Sequence, residues 1–577
     1  MTKLDVSKIL EEIGILLELK GENPFKFRAY HNASVTVEAL EEDLDKAIGD
    51  GTLAEQKGIG KGLYEKIVEL NNTGRLKYYE DLKKEIPAGL LEIIRIPGVG
   101  PKKAKALYDE LGISTVGELE YACMENRLIG LHGFGEATQA KILKGIEYYR
   151  KGMGHHLFNV ALKDAERLLT LLEKNKDIKM KNIAGSIRRR KEVIKDIDIV
   201  ASARHERVGA VMDFFTTLPD VQSIVAKGDT KSSVILNSGI NADLRIVSDS
   251  EYPFALHYFT GSSEHNTAMR SRAKKFGLKL NEYGLFKGEK SLQCKSEEEI
   301  FKALGLTYIP PELREDKGEI EAAEQGKLPE LIEPSDIKGI FHVHTTYSDA
   351  SMTLHEVVKL AQGAGYQYIG ISDHSKSAYY AGGLTEEKLR AQHDEIDGLN
   401  SKLKNFYIFK GIECEILSDG SLDYSDEILA EFDFVIASVH SRFNMSEEEM
   451  TERIIKAISN PYTTMLGHPT GRLLLSREGY KVDLHKVIDA AAEKGAVIEI
   501  NAHPYRFDLD WRYCKYAKER GVKVSINPDA HHAEDLANVS YGVGIARKGW
   551  LTSRDVLNTM TLGEIKKKFR VNKHENI

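Results

Sequence analysis

From about residue 336 onward, short apolar runs alternate with stretches in which apolar residues recur at helical period. The runs GIFHVH, YIGISDH, IFKGIE, FVIASVH, TMLGH, AVIEIN and VKVSINPDAH predict strands buried on both faces, as in a parallel sheet covered by helices. Strands and helices alternating in this way predict a barrel, whose functional groups sit at the carboxyl ends of the strands. That is where metal-capable side chains fall: His342 and His344, Asp349, His374, Glu413, His440, His468, Asp529 and His531. One histidine at a strand end is usually a solvated or core residue; a whole series is not. Histidine with Asp and Glu, without cysteine, points to divalent ions engaged in hydrolysis rather than to a structural zinc knot. Two such ions, about 3.5–4 Å apart, can stabilise both the attacking and the leaving oxygen of a phosphoryl displacement.

The first 150 residues carry a different pattern. Gly58-Ile59-Gly60, Gly98-Val99-Gly100 and Gly133-Phe134-Gly135 each precede a segment with a regular apolar face: KGLYEKIVEL, PKKAKALYDEL and EATQAKILKGIEYY. Glycines before a helix let another backbone come close, and the free amides of the first turn attract an anion. Three such units predict helix-hairpin-helix elements that hold a DNA phosphate backbone without reading bases.

Between these regions, Gly185-Ser186 and Arg188-Arg189-Arg190 precede KEVIKDIDIV. Asp196 and Asp198 alternate within an apolar strand, so their carboxylates leave from one face and can share divalent cations. INADLRIV places Asp243 and Arg245 on one side of a second strand. Three carboxylates with a Gly-Ser turn and arginines suit nucleotidyl transfer.

Composition locates the charge. The 577-residue chain has a formal net charge of −8, but residues 1–309 have 47 basic against 45 acidic residues, and residues 336–577 have 30 against 35. The N-terminal half is therefore the expected nucleic-acid contact. Residues 310–335, rich in Glu and Pro, read as a solvated linker. Four scattered cysteines (Cys123, Cys294, Cys414, Cys514) indicate neither a disulfide framework nor a zinc ribbon and fit a reducing cytoplasm. No targeting or membrane segment is read.

The barrel motifs, from His342-Val-His344 to PDAH, resemble the polymerase and histidinol phosphatase (PHP) domain over roughly residues 336–577. The resemblance implies that His342, His344, Glu413 and Asp529 hold one metal, with Glu413 bridging to a second bound by His440 and His468. Asp349, His374 and His531 would hold a third.

Residues 1–309 resemble family X DNA polymerases of the beta type, through GSIRR with DIDIV, ADLR and YFTGSSEHNTAMR. The resemblance implies that Asp196, Asp198 and Asp243 are catalytic and bind metal. Gly185, Ser186 and Arg189 would meet the triphosphate, and Tyr258, Phe259 and Gly261 the sugar. Asn266 and Arg270 would face the nascent pair from the minor groove, where all base pairs look alike. The family often has glycine where Arg190 and Lys195 stand; Arg190 is expected to add positive charge near the triphosphate. Lys66 matches a deoxyribose-phosphate lyase lysine and Lys26 a 5′-phosphate ligand, although Gly62 stands where another lysine would be.

The expected fold is multidomain: an all-α helix-hairpin-helix N-terminal region, an α+β nucleotidyltransferase polymerase core, and a C-terminal distorted (β/α)7 PHP barrel. Expected boundaries are 1–86 and 87–150 for two helix-hairpin-helix domains, 151–235 for the palm, 236–309 for the end of the palm and a thumb-like domain, 310–335 for the linker and 336–577 for the PHP domain. The resemblance implies short-gap filling in base excision repair, with 3′-to-5′ exonuclease or 3′-end processing and abasic-site incision by the barrel. The cofactors implied are Mg2+ or Mn2+ in the polymerase and up to three Mn2+ or Zn2+ ions in the barrel. Partners are gapped or primer-template DNA and dNTPs, for a cytoplasmic monomer. Two alternatives stay open: a purely structural PHP domain, or a phosphatase of small phosphate esters.

Overall fold

The computed structural model describes residues 1, 3–38, 40, 44–56, 58–150 and 154–575. They form two compact units, 1–149 and 150–577. The domain boundary expected at 150/151 abuts residues 151–153, which lie outside the described residues.

All regular structure described in the first unit is helical. Leu10, Ile13 and Leu17 of the first helix (Lys3–Lys20) join Ile67, Leu107, Leu119 and Ile146 in one buried cluster. The regions 1–86 and 87–150 thus share a core. The three glycine turns have one geometry. Ile59, Val99 and Phe134, the middle residues, are all buried, and each donates its amide to the carbonyl three residues earlier. The first glycine has a left-handed φ in every case: 100° at Gly58, 91° at Gly98 and 87° at Gly133.

In the second unit a five-stranded sheet runs in the order Ile178–Ile183, Asp196–Ala203, Asn241–Val247, Lys231–Leu236, Val221–Lys227. The two Asp-bearing strands are parallel neighbours, and every other pairing in this sheet is antiparallel. A small antiparallel sheet and the helix Ser263–Lys275 follow.

The barrel strands are Gly339–Val343, Tyr368–Ile371, Tyr407–Glu415, Phe434–Ser438, Met465–Leu466, Val497–Asn501 and Val524–Asn527, all parallel and in sequential order. Each apolar run singled out from the sequence supplies one. The His344 amide donates to the Ala530 carbonyl (3.0 Å), bringing the end of the last strand beside the first and nearly closing the barrel. Five of the outer helices begin at Thr353, Thr385, Ser446, Asp483 and Asp510, whose side-chain oxygens accept first-turn amides and so satisfy donors a helix start leaves open. Phe341, Tyr368, Phe409 and Phe434 pack with Phe569 of the last helix. Gly411 makes room, since a Cβ there would lie 2.1 Å from the Phe434 ring.

Residues 310–335 do not form a solvated linker. Arg314 and Glu319 are fully buried, as are Leu313, Ile320 and Ile332, and the Ile332 amide donates to the Leu551 carbonyl. Two of the acidic residues that made the segment look solvated have partners in the fold: Glu319 Oε1 lies 2.7 Å from His265 Nδ1, and Glu312 Oε1 pairs with half-buried Arg547 at 2.7 Å. Palm and barrel share one apolar cluster, in which Phe158 meets Tyr541 and Phe507 edge-on.

Candidate metal centre and nucleotide site

All nine metal-capable barrel residues come together. Four overlapping groups of ligand atoms lie within 4.8 Å of one another: His342, His344 and Asp529; His342, Glu413 and His468; His374, Glu413 and His440; and His344, Asp349, His374 and His531. Glu413 is the hub. Its Oε1 lies 2.8 Å from His468 Nε2 and 3.3 Å from both His342 and His440 Nε2, and its Oε2 lies 2.9 Å from His374 Nδ1. The grouping differs from the expected partition: His440 and His468 both touch Glu413, but His440 falls with His374 and His468 with His342, and His344 also joins Asp349, His374 and His531.

Backbone and electrostatics both bear the mark of a built site. His342 (φ 54°) and Asp529 (φ 52°) are in the left-handed region, a conformation that costs a non-glycine residue on the order of 1–3 kcal/mol and clusters at functional sites. A register shift between Ile340 and Val343 accompanies the first. Burial disfavours a charged His342, but the Glu499, Asp529 and Glu413 carboxylates outweigh it and hold its pKa well above the usual value. His344 is pushed down to about 3 by burial and by His531 and His374, and His468 to about 4 by burial and Arg506. Burial works against an ionised Glu413, yet His440, His342 and His374 keep its pKa well below the ordinary range. The carboxylates thus demand positive charge inside a dry site. Divalent ions fit that demand and the donor set. Among the described residues, His342 Nε2, both ring nitrogens of His344 and Asp349 Oδ2 are buried and complete no hydrogen bond of good geometry.

Sequence reading missed the residues that orient these ligands. Glu499 Oε1 lies 2.5 Å from His342 Nδ1, and Glu415 Oε2 2.8 Å from His440 Nδ1. Asn501 Nδ2 donates to Asp529 Oδ2 (2.9 Å), and Asn527 Nδ2 to Glu499 Oε1 (2.9 Å). Outer carboxylates of this kind fix the tautomer and direct the other nitrogen at the metal. The available signal was strand alternation: Glu415 follows Glu413 by two residues, and Glu499 and Asn501 are polar positions in a strand buried throughout.

In the palm, Asp198 is paired in register with Asp243 on the neighbouring parallel strand, and Asp196 with Asn241. The three carboxylates share a face, as alternation requires, but Asp243 Oδ2 is held by Lys231 Nζ at 2.6 Å. Asp198 is pushed up to about 6 by burial and by Asp196 and Asp243. Gly185 (φ 59°) lies so close that a Cβ there would be 2.2 Å from Asp198 Oδ2, so glycine alone lets the Ser186 turn sit over the carboxylates. The Arg245 guanidinium lies 4.1 Å from the centre of the Phe259 ring. Asn266 Nδ2 donates to the Tyr258 carbonyl (2.7 Å), Gly261 is followed by Ser262, the N-cap of the next helix, and Arg270 is exposed.

The arginines depart from expectation. Half-buried Arg188 pairs with Glu297 and donates to the Thr260 hydroxyl, and Arg189 pairs with Glu315 (3.2 Å) and donates to the Thr260 carbonyl. Arg190 does not add charge near the triphosphate turn. Its φ of 56° explains why glycine is common there, and its guanidinium lies over Phe158 (5.3 Å), with its Cδ packed close to Gly544 of the barrel domain.

In the first unit, Lys66 Nζ and Lys26 Nζ lie 5.3 and 6.0 Å from the centre of the Tyr78 ring. Gly60 and Gly100 have ordinary φ values, −77° and −93°, and a Cβ on either would meet nothing within 4 Å. Among the described residues nothing requires glycine at either position, and each directly precedes a helix start.

A helix-hairpin-helix region, a parallel pair of Asp-bearing strands and a barrel that gathers nine metal-capable side chains define a polymerase-beta-type chain joined to a PHP-type barrel. The chain matches the families described as helix-hairpin-helix domain over residues 1–76, SAM-like helix-hairpin-helix tandem over 90–147, DNA polymerase beta thumb over 255–315 and PHP domain over 341–503. It is 40% identical over 570 residues to the DNA polymerase/3′-5′ exonuclease PolX of Bacillus subtilis, covering 98% of this chain and 99% of that one. The chain belongs to the PolX family. A probable phosphatase of a Thermoanaerobacter species is 32% identical over 41% of this chain and 95% of its own length. One from Caldanaerobacter subterraneus is 32% identical over 38% of this chain and 85% of its own.

Proposed function

We propose that the chain is a DNA-directed DNA polymerase that fills short gaps in repair, using gapped or primer-template DNA and dNTPs, and that its barrel is a metal-dependent 3′-to-5′ exonuclease. Incision at abasic sites would use the same barrel cluster. The observation that carries the reading is the gathering of nine metal-capable side chains, most of them buried, into overlapping groups about Glu413, in a chain whose palm also sets Asp198 beside Asp243. Among the described residues no helix is long and apolar enough to cross a membrane; we assign a cytoplasmic monomer. The boundaries 1–86, 87–150, 151–235, 236–309 and 336–577 serve as working domains, with 310–335 part of the folded body.

In the palm, Asp196 and Asp198 would hold two Mg2+ or Mn2+ ions, and Asp243 would draw the proton from the primer 3′ hydroxyl. Gly185 and Ser186 would offer amides to the triphosphate, and Tyr258, Phe259 and Gly261 would lie along the sugar. Asn266 and Arg270 would meet the nascent pair. In the barrel, His342, His344, Asp349, His374, Glu413, His440, His468, Asp529 and His531 would hold up to three Mn2+ or Zn2+ ions, which supply Lewis acidity toward a phosphodiester. The residues then orient the phosphate and keep water out of all but the reacting position. Gly58, Gly60, Gly98, Gly100, Gly133 and Gly135 would let DNA phosphates approach the helix starts.

A labelled gapped substrate tests both centres. Asp196→Ala and Asp198→Ala are each expected to abolish extension and spare the nuclease; extension within tenfold of the parent sinks the palm assignment. Because phosphatase-named relatives span the barrel, hydrolysis of a small phosphate ester is the second reading. It would be favoured if DNA failed to compete with that hydrolysis.

A further inference from the structure

The barrel domain reaches into the polymerase. Lys548, the last residue of the helix Val539–Lys548, is fully buried. Its ammonium donates to the Arg189 carbonyl (3.0 Å) and to Glu315 Oε1 (2.6 Å), beneath the Trp511 ring. Glu315 also pairs with Arg189 Nε (3.2 Å) and Lys191 Nζ (3.3 Å). The Arg189 guanidinium continues to the Thr260 carbonyl and packs against Gly261, and Ser262 then caps the helix that carries Asn266 and Arg270. Alongside, Arg190 packs against Gly544, and Glu192 lies between Arg472 (3.9 Å) and Arg512 (3.6 Å) of the barrel. Between the Gly185-Ser186 turn and Asp196, residues 189, 190 and 192 are thus held by barrel-domain residues.

We propose that Lys548 is a positioning residue for nucleotide binding: from the barrel domain it fixes Arg189, through Glu315 and the Arg189 carbonyl, and thereby the two walls of the dNTP pocket. This rests on the polymerase reading of the palm. Three cations around one carboxylate are what makes the device work. While Lys548 shares Glu315, Arg189 can divide its guanidinium between Glu315 and Thr260. Without Lys548, Glu315 draws Arg189 and Lys191 entirely to itself, and the contact with Thr260 loosens.

The test is steady-state gap filling and 3′-end release by full-length Lys548→Met, Glu315→Gln and the double variant. Lys548→Met is expected to raise KM for dNTP about tenfold with kcat within about twofold. Nuclease rate and barrel metal content should match the parent. The double variant, which removes both members of the buried Lys548–Glu315 pair and leaves Arg189 with the Thr260 carbonyl, keeps the test open if the single one folds poorly; it should also show a raised KM. The two changes should be non-additive, since both break one linkage. An unchanged KM in the variants overturns the proposal, as does a parallel fall in kcat and nuclease activity, which would mean general destabilisation. Absence of primer extension by the parent would instead remove the polymerase reading beneath it.

Discussion

Glu499 Oε1 stands 2.5 Å from His342 Nδ1, while the opposite nitrogen of the same ring lies 3.3 Å from Glu413 and 3.4 Å from Asp529. One carboxylate behind the ring thus commits its Nε2 to the metal side. Glu499→Gln should lower barrel metal affinity about 10–100-fold. Nuclease activity should fall at limiting metal and recover in excess, with gap filling unchanged. Metal titration of the variant checks it, and parent-like affinity would remove Glu499 from the site.

Ligand loss should be graded by position. Glu413 touches four histidines, so Glu413→Ala should lose more bound metal than His342→Ala or Asp529→Ala, which should resemble each other. After chelation, added metal should restore the parent but not the Glu413 variant. Elemental analysis alongside a 3′-end release assay decides; equal losses for all three would contradict a bridging role.

The palm should respond to pH through Asp198. Its pKa of about 6 in the metal-free fold exceeds the ordinary 3.8, because burial and two neighbouring carboxylates oppose the charge. A raised carboxyl pKa stabilises the fold fully below the ordinary value, and that contribution is lost as pH rises through 6. The metal-free Asp198→Asn variant should therefore exceed the parent in stability at pH 7–8, with the gap closing toward pH 4. Mg2+ affinity of the parent palm should drop about tenfold per pH unit below 6, since the ligand must first lose its proton. Thermal melts and metal titrations across this range provide the measurement.

Gly100 offers a clean probe of DNA contact. With φ at −93° and open space around it, Gly100→Leu should cost the fold no more than about 1 kcal/mol as a poorer helix cap. A leucine there nevertheless fills the approach to the amides. Binding should weaken uniformly, by about tenfold or more, on duplexes of unrelated sequence. Loss confined to some sequences would mean that the hairpin reads bases.

Lys66 and Lys26 face one Tyr78 ring, which brings a nucleophilic amine near a cation suited to a 5′ phosphate. Borohydride should trap the parent on a 5′-deoxyribose-phosphate end, and Lys66→Ala should lose most of the adduct. Trapping undiminished in that variant places the amine elsewhere.

The sequence by itself determined the barrel's strands and which metal-capable side chains stand at their ends. Seven apolar runs became seven parallel strands in order, because a run buried on both faces has few other structures available, and side chains at strand ends must converge once the strands close. Asp196 and Asp198 were bound to share a face for the same geometric reason. Tertiary structure decided what long-range pairing alone can decide. Glu499 reaches His342 across 157 positions, and local pattern carries no trace of a partner that distant. Glu and Arg in residues 310–335 looked solvated because composition counts charges but not partners; Arg314 is buried against the Glu297 carboxylate, and Glu319 is buried with its oxygens hydrogen-bonded to His265 and to the Asp316 and Lys317 amides. Arg190 likewise packs on Phe158 and near Gly544 of the barrel domain, a placement set by its left-handed backbone and these distant partners rather than by its charge.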